Sequence, residues 1–308
     1  MAPVLQATTD QAAFLRDLQE AGLLVATGEP GVYGRGAAFE DVRLHVDALI
    51  TRVGRPDGAE HLRFPPVIPR RHFEDSGYLK SFPHLAGSIF SFEGSEDEAQ
   101  AQHDTACAHG DWSGFQHQTN LVLVPAACYP VYPAIAARGP VPAGGVTVDA
   151  GGSYVFRHEP SEDPARLQMF HQREMVRIGE PDTVAAWRDV WRERAVSTLR
   201  GLGLEARLDV ASDPFFGRAG RLLARSQRAQ ALKFEVLVPI AGAEPTAVAS
   251  FNYHQDHFAE AFGLEGEAGA TVHTSCLGFG LERITLALLR AHGLDPAVWP
   301  ADVRAELS

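Results

Sequence analysis

The sequence predicts an α+β fold in which an antiparallel sheet is flanked by helices. Three observations carry the prediction. Residues 153–159 and 168–179 read as two strands joined by a polar loop. Residues 232–240, 246–253 and 271–276 read as further strands. Long helical runs at 183–202, 218–230 and 281–292 interrupt these strands without the regular alternation of a doubly wound parallel sheet.

Taken in order, residues 9–23 read as a helix, because Phe14, Leu15, Leu18 and Leu23 recur at helical spacing behind Thr8, Thr9 and Asp10. Residues 38–53 read as a second helix on Phe39, Val42, Val46, Leu49 and Ile50, with a glycine-rich loop, Gly28 to Gly36, between the two. The pair is expected to form a small N-terminal helical region, residues 1–58, ahead of a larger body, residues 59–308. Phe64 to Pro69 is an extended, proline-stiffened segment. Residues 119–125 alternate weakly and read as a strand. Gly278 and Gly280 read as a turn between the last strand and the last long helix.

Composition narrows the function. The 308 residues are 45% hydrophobic and 21% charged, an ordinary globular balance that excludes disorder and fibrous structure. The net charge of −12 excludes nucleic-acid binding by the overall field, leaving only a local basic patch as a route to it. Met1 to Asp10 lacks the basic and apolar regions of a signal peptide, and Leu121 to Ala137 is broken by Pro125, Pro130 and Pro133, so neither export nor a membrane span is expected. Cys107, Cys128 and Cys276 are odd in number and far apart, no disulfide framework, and a reducing cytoplasm is the expected compartment.

Two constellations carry chemistry. In the first, side chains two apart on a strand share a face, which groups Arg157 with Glu159, and Phe170 with Gln172 and Glu174. An arginine fork holds phosphate and a phenylalanine stacks a flat base. Phe170 and Glu174 are about 13 Å apart at strand rise, room for adenine at one end and a second substrate at the other. The plainer reading is a solvated hairpin. The second constellation is Gly278, Gly280 and Arg283 entering a helix, where glycines admit a close backbone approach and a helix start favours anions.

Together, an arginine-loop-phenylalanine hairpin and a later Gly-x-Gly-x-x-Arg resemble motifs 2 and 3 of the class II aminoacyl-tRNA synthetases. Phe64-Pro65-Pro66 resembles motif 1, which in that family builds a dimer interface. Tyr78 to Pro83, Ala126 to Pro133, Phe156 to Pro160 and Ser250 to His257 are similar to the amino acid:[carrier protein] ligases, which are seryl-tRNA-synthetase-like. The resemblance runs from about residue 10 to 304. It implies the class II catalytic fold, a homodimer, and ATP-dependent activation of a small amino acid, glycine or alanine with a lean to glycine. The aminoacyl group would then pass from the adenylate to the phosphopantetheine thiol of a carrier protein. A long coiled coil grips tRNA in true seryl synthetases. The residues before Phe64 hold a Gly/Pro loop and no sustained heptads, so tRNA is not the expected partner.

The resemblance also implies roles. Arg157 holds the α-phosphate, Glu159 the adenine or the motif loop, and Arg166 and Leu167 lie near the nucleotide. Phe170 and Arg283 cover the two faces of adenine. Lys233 touches phosphate and Glu235 ligates Mg²⁺. Ala247, Val248, Ala249 and Ser250 line the amino-acid end. Cys128, Glu174 and Cys276 hold Zn²⁺ with one position open to the substrate's amino group; spacing alone leaves them as buried thiols and a carboxylate. Cys107 receives no role. A rival metal set is His254, Asp256 and His257. Arg218, Arg221, Arg225 and Arg228 step by 3, 4 and 3 along one helix face, either a solvated face or a dock for an acidic carrier protein. Competing functions are a compact amino acid–tRNA ligase, a non-catalytic synthetase-like binding protein and a zinc hydrolase.

Overall fold

The computed structural model describes residues 4–308. Helix α1 (Thr9–Glu20) opens on a capping box: Thr8 Oγ1 accepts from Gln11 N, and the Gln11 side chain accepts from Thr8 N. It ends before Gly22, whose φ of +67° turns the chain, so Leu23 lies beyond the helix rather than within it. Strands β1 (Leu24–Ala26) and β2 (Tyr33–Arg35) pair antiparallel. Helix α2 (Ala37–Gly54) buries the five apolar residues that marked it in the sequence.

Short elements follow: β3 (Glu60–Leu62), β4 (Val67–Pro69), α3 (Arg70–Asp75), α4 (Tyr78–Ser81), β5 (Ser88–Phe92), α5 (Glu96–Cys107), β6 (Gln116–Leu123) and α6 (Val131–Ala136). Strands β4, β6 and β5 form a three-stranded antiparallel sheet. The second half comprises β7 (Val146–Phe156), β8 (Met169–Gly179), α7 (Pro181–Gly201), β9 (Arg207–Val210), α8 (Gly217–Ala229), β10 (Lys233–Val238), β11 (Thr246–Gln255), α9 (His257–Phe262), β12 (His273–Gly280), α10 (Leu281–His292) and α11 (Ala301–Leu307). Among the described residues no helix is long and apolar enough to cross a membrane.

The main sheet has seven strands in the order β3-β7-β8-β12-β11-β10-β9. Every neighbouring pair is antiparallel except β3 with β7. Alternation along the strands divides the side chains between two layers. On the underside, Met175, Leu277, Phe279 and Phe251 pack with Trp191 of α7, Leu286 of α10 and Val46 of α2 in one apolar cluster that also takes in Phe14 and Leu18 of α1. On the upper side, Val176, Ile178 and Val148 pack with Tyr132 and Phe258. A fully buried side chain of this size contributes about 1.5–3 kcal/mol, so the helices below give the sheet its rigidity.

Two departures from the sequence expectation bear on the site. Strand β7 begins at Val146, not Ser153, and ends at Phe156. Gly151 and Gly152 form a bulge at the register shift between Ala150 and Ser153. Gly152 has φ +75°, and a Cβ on Gly151 would lie 2.6 Å from the Arg173 side chain. Arg173, 1% exposed, fills that space to meet Asp149 and Asp47. Strand β12 continues through Gly278 to Gly280, so these glycines are strand residues rather than a turn.

Candidate active site

The upper face of the main sheet carries a cavity of about 570 Å³. Its floor is set by strand register. Glu174, Gly278, Ser250 and Glu235 are successive cross-strand partners across β8, β12, β11 and β10, and the next row places Cys276, Asn252 and Lys233 side by side. Paired residues in an antiparallel ladder share a face, so both rows point into the cavity. Phe170 and Gln172 extend the β8 column. Gly278 is required: a Cβ there would meet Gln172 Nε2 at 2.8 Å and Glu174 Oε1 at 2.9 Å.

Arg157 follows the last residue of β7, so strand alternation does not orient it. Its N–H donates to Gln168 O at 2.9 Å, and its guanidinium carbon lies 5.9 Å from the Phe170 ring centroid. Arg283, in the first turn of α10, donates from Nε to Ala165 O at 2.7 Å and from Nη1 to Ala247 O at 2.9 Å. Burial, then Arg157 and Arg166, push its pKa down to about 10, which still leaves it charged at neutral pH. Lys233 Nζ lies 2.5 Å from Asp213 Oδ1 and 3.0 Å from Glu235 Oε1. Burial works to lower its pKa, but the two carboxylates outweigh that and hold it above the ordinary lysine value.

At the other end, ligand atoms of Cys128, Glu174 and Cys276 all lie within 4.8 Å of one another, the one such group found among the described residues. All three residues are buried. Cys128 N donates to Glu174 Oε2, and the Cys276 thiol is 3.7 Å from Glu174 Oε1. Burial and then Cys276 drive the Cys128 thiol well above its ordinary range, and burial also raises Glu174. For Cys276, hydrogen bonding with Cys128 works downward, but burial and Glu174 raise it on balance. Two thiols and a carboxyl whose pKa values are all raised, beside a Tyr132 hydroxyl that is buried with no hydrogen-bond partner, are what a thiolate-binding cation would relieve. The donor set suits tetrahedral Zn²⁺.

The cavity brings together Arg157, Phe170, Glu174, Lys233, Glu235, Ala247, Val248, Ala249, Ser250, Arg283, Cys128 and Cys276. Glu159, Arg166 and Leu167 are not among its lining residues. Glu159 does not share a strand face with Arg157, since β7 has already ended; it accepts from Arg166 Nη1 at 2.9 Å, within the loop between β7 and β8. The set His254, Asp256 and His257 is not assembled: His257 Nε2 lies 3.1 Å from Ser76 O and Asp256 is exposed. His254 instead joins the thiol group, with Nε2 3.5 Å from Cys276 Sγ. Burial first, then His257, push His254 down to about 3, so it faces the sulfur as a neutral ring. Asn252 and Tyr132 lie within the motifs at 250–257 and 126–133 but received no role from the sequence; the alternation of β11 behind Ser250 is the available signal for Asn252. Cys107 is exposed on α5, beside His103. The four arginines Arg218, Arg221, Arg225 and Arg228 lie exposed on α8, whose Leu223 and Gln227 reach the cavity rim.

No protein-family model matches the chain. It is 49% identical over 278 residues to amino acid–[acyl-carrier-protein] ligase 2 of Bradyrhizobium diazoefficiens, covering 90% of this chain and 83% of that protein. Its fold matches the seryl-tRNA synthetase of M. kandleri, solved with A. aeolicus tRNASec, at a TM-score of 0.81 and 21% identity, over 100% of this chain and 62% of that one. It also matches the cytoplasmic serine–tRNA ligase of Naegleria fowleri, solved with AMP, at a TM-score of 0.70 and 14% identity, over 99% of this chain and 62% of that one. These two likenesses establish the fold alone. The chain is therefore a ligase built on the class II aminoacyl-tRNA synthetase catalytic fold, and it belongs to the amino acid–[acyl-carrier-protein] ligase family.

Proposed function

We propose that the chain activates a small amino acid with ATP and transfers it to the phosphopantetheine thiol of an acidic carrier protein. The observation that carries this reading is a single cavity with two uncompensated guanidinium groups at one end and a Cys-Glu-Cys cluster at the other. A carboxylate oxygen of the amino acid attacks the α-phosphorus of ATP, and pyrophosphate leaves. The thiol sulfur then attacks the carbonyl carbon, and AMP leaves as the thioester forms.

Arg157 holds the α-phosphate and faces the charge that develops in line, while Phe170 and Arg283 hold the adenine between them. Lys233 and Glu235 serve the phosphates, Glu235 as the residue that would hold Mg²⁺; Glu159 bonds the adenine or the motif loop, and Arg166 and Leu167 lie near the nucleotide. Ala247 to Ser250 shape a pocket whose lean is to glycine over alanine. Cys128, Glu174 and Cys276 would hold Zn²⁺, a Lewis acid that takes the amino nitrogen of the substrate. Catalysis resides in residues 59–308, with 1–58 an N-terminal region. The carrier docks on α8 through Arg218, Arg221, Arg225 and Arg228. A second copy packs through the motif 1-like segment Phe64-Pro65-Pro66 and the three-stranded sheet that follows it, beside which Phe90, Trp112 and Leu121 are exposed and α5 buries none of its residues.

The test is pyrophosphate exchange across the amino acids, with and without a zinc chelator, followed by transfer of the labelled amino acid to holo carrier protein or to tRNA. Exchange with glycine or alanine and transfer to the carrier alone is expected. Exchange with no amino acid would refute catalysis, and charging of tRNA would replace the carrier as acceptor.

A further inference from the structure

The Gly28–Gly36 loop has no role in the reaction above, yet it delivers Arg35, on β2, to the underside of the sheet. There the Arg35 guanidinium lies 2.5 Å from Glu282 Oε1 and 2.5 Å from Glu40 Oε1, and it donates to the Tyr154 hydroxyl. Glu282 is fully buried and accepts from the His171 backbone N–H at 2.9 Å, with His171 Nδ1 2.8 Å away. The Tyr154 and His171 rings lie 3.9 Å apart. Arg43 Nε donates to Glu40 Oε2 at 2.9 Å, so two guanidinium groups meet two carboxylates and the cluster closes in charge. That balance is what lets ions sit under a sheet.

Its members adjoin the nucleotide groups in sequence. Glu282 directly precedes Arg283, and His171 directly follows Phe170. The same loop reaches the third group: Gly31 O accepts from Gln168 N at 2.8 Å and Pro30 O from Gln168 Nε2 at 2.9 Å, while Gln168 O accepts from Arg157 N at 2.9 Å. We propose that Arg35 and Glu282 are positioning residues for the nucleotide: from beneath the sheet they fix the first turn of α10 against β8, and so set the spacing of Arg283 and Phe170. The proposal rests on the nucleotide roles given to those two residues.

The test uses the full chain with Arg35→Lys, Arg35→Met and Glu282→Gln. Lysine keeps the charge but cannot fork between Glu282, Glu40 and the Tyr154 hydroxyl. Affinity for a fluorescent ATP analogue, the KM of ATP and of the amino acid in pyrophosphate exchange, and the melting temperature are measured together. The expected result is ATP affinity weakened about 10- to 100-fold in every variant, with the amino-acid KM within about twofold of the parent and no recovery of ATP affinity in Arg35→Lys. Should Arg35→Met fail to fold, the two milder variants decide. A folded Arg35→Lys or Glu282→Gln that binds the analogue like the parent overturns the positioning role, as does an equal rise in both KM values. A parent chain that binds no analogue instead overturns the reading of the pocket itself, and this role with it.

Discussion

The two glycines closing β12 should respond oppositely to the same added methyl. On Gly278 an alanine Cβ would sit 2.8 Å from Gln172 Nε2 and 2.9 Å from Glu174 Oε1. Neither neighbour steps aside freely: Gln172 Oε1 accepts from Ala127 N at 3.2 Å, and Glu174 Oε2 is held by Cys128 N. On Gly280 the nearest atoms are Val248 O at 3.7 Å and Arg283 Cβ at 3.8 Å, ordinary contact, and its φ of −82° suits any residue. Gly278→Ala is therefore an overpacking of about 1–3 kcal/mol, which lowers the melting temperature by roughly 2–10 °C in a domain this large. By displacing Glu174 it should also weaken zinc binding about tenfold or more. Gly280→Ala should leave both unchanged and raise the KM of ATP, because its methyl enters the cavity floor. Thermal melts, chelator competition for zinc and pyrophosphate exchange separate the cases. A Gly278→Ala chain with the parent's melting temperature and zinc affinity, or a Gly280→Ala chain as unstable as its neighbour, would refute the steric argument.

Arg283→Met should cut pyrophosphate exchange about 10²–10³-fold while the ligand-free melting temperature holds or rises, since a buried charge is removed; a large fall in stability would mean that Arg283 serves the fold. Charge reversal at Arg221 and Arg225 should slow transfer to an acidic holo carrier protein at low salt and leave exchange intact, and transfer at the parent rate would dismiss α8 as the dock. Burial raises the Asp213 pKa, but Lys233 and Gln227 more than reverse this and hold it below 3.8. Folded chains then bind fewer protons there than unfolded ones, so the contribution is full above the ordinary aspartate pKa and is lost as the pH falls below it and through the lower folded-state pKa. Asp213→Asn should flatten the melting-temperature profile below about pH 4, and an unchanged acid limb would contradict the assignment.

Legibility followed burial. Helix α2 was readable to within a residue because five apolar side chains face one core at helical spacing. Helix α5 was invisible because it buries nothing, so its sequence carries no apolar period. Strand β7 was truncated in the sequence reading because Gly151 and Gly152 look like a breaker, whereas they are a bulge that makes room for Arg173. The facing of Phe170, Gln172 and Glu174 on β8 was readable by alternation, whereas the cavity residues of β10 and β12 came from the resemblance, and Gly278 and Gly280 read as a turn. Alternation misled at Arg157 and Glu159, which lie past the end of their strand. The proximity of Cys128 to Glu174 and Cys276 came from tertiary folding that no spacing encodes; only resemblance suggested it.

Most cations in and around the cavity are paired. Beneath the sheet Arg173 faces two aspartates, in the loop beyond β7 Arg166 faces Glu159 and Asp163, and on the cavity floor Lys233 faces Asp213 and Glu235. Among the described residues Arg157 and Arg283 form no ion pair. Arg283 is gripped by the carbonyls of Ala165 and Ala247, which aim the guanidinium without neutralising it. Two such groups in one cavity repel, and the depressed pKa of Arg283 records that repulsion together with its burial. Two guanidinium groups without an ion-pair partner in one cavity suit an anionic ligand, as the nucleotide roles proposed for them require. Ala247 acts here through its backbone, not its side chain.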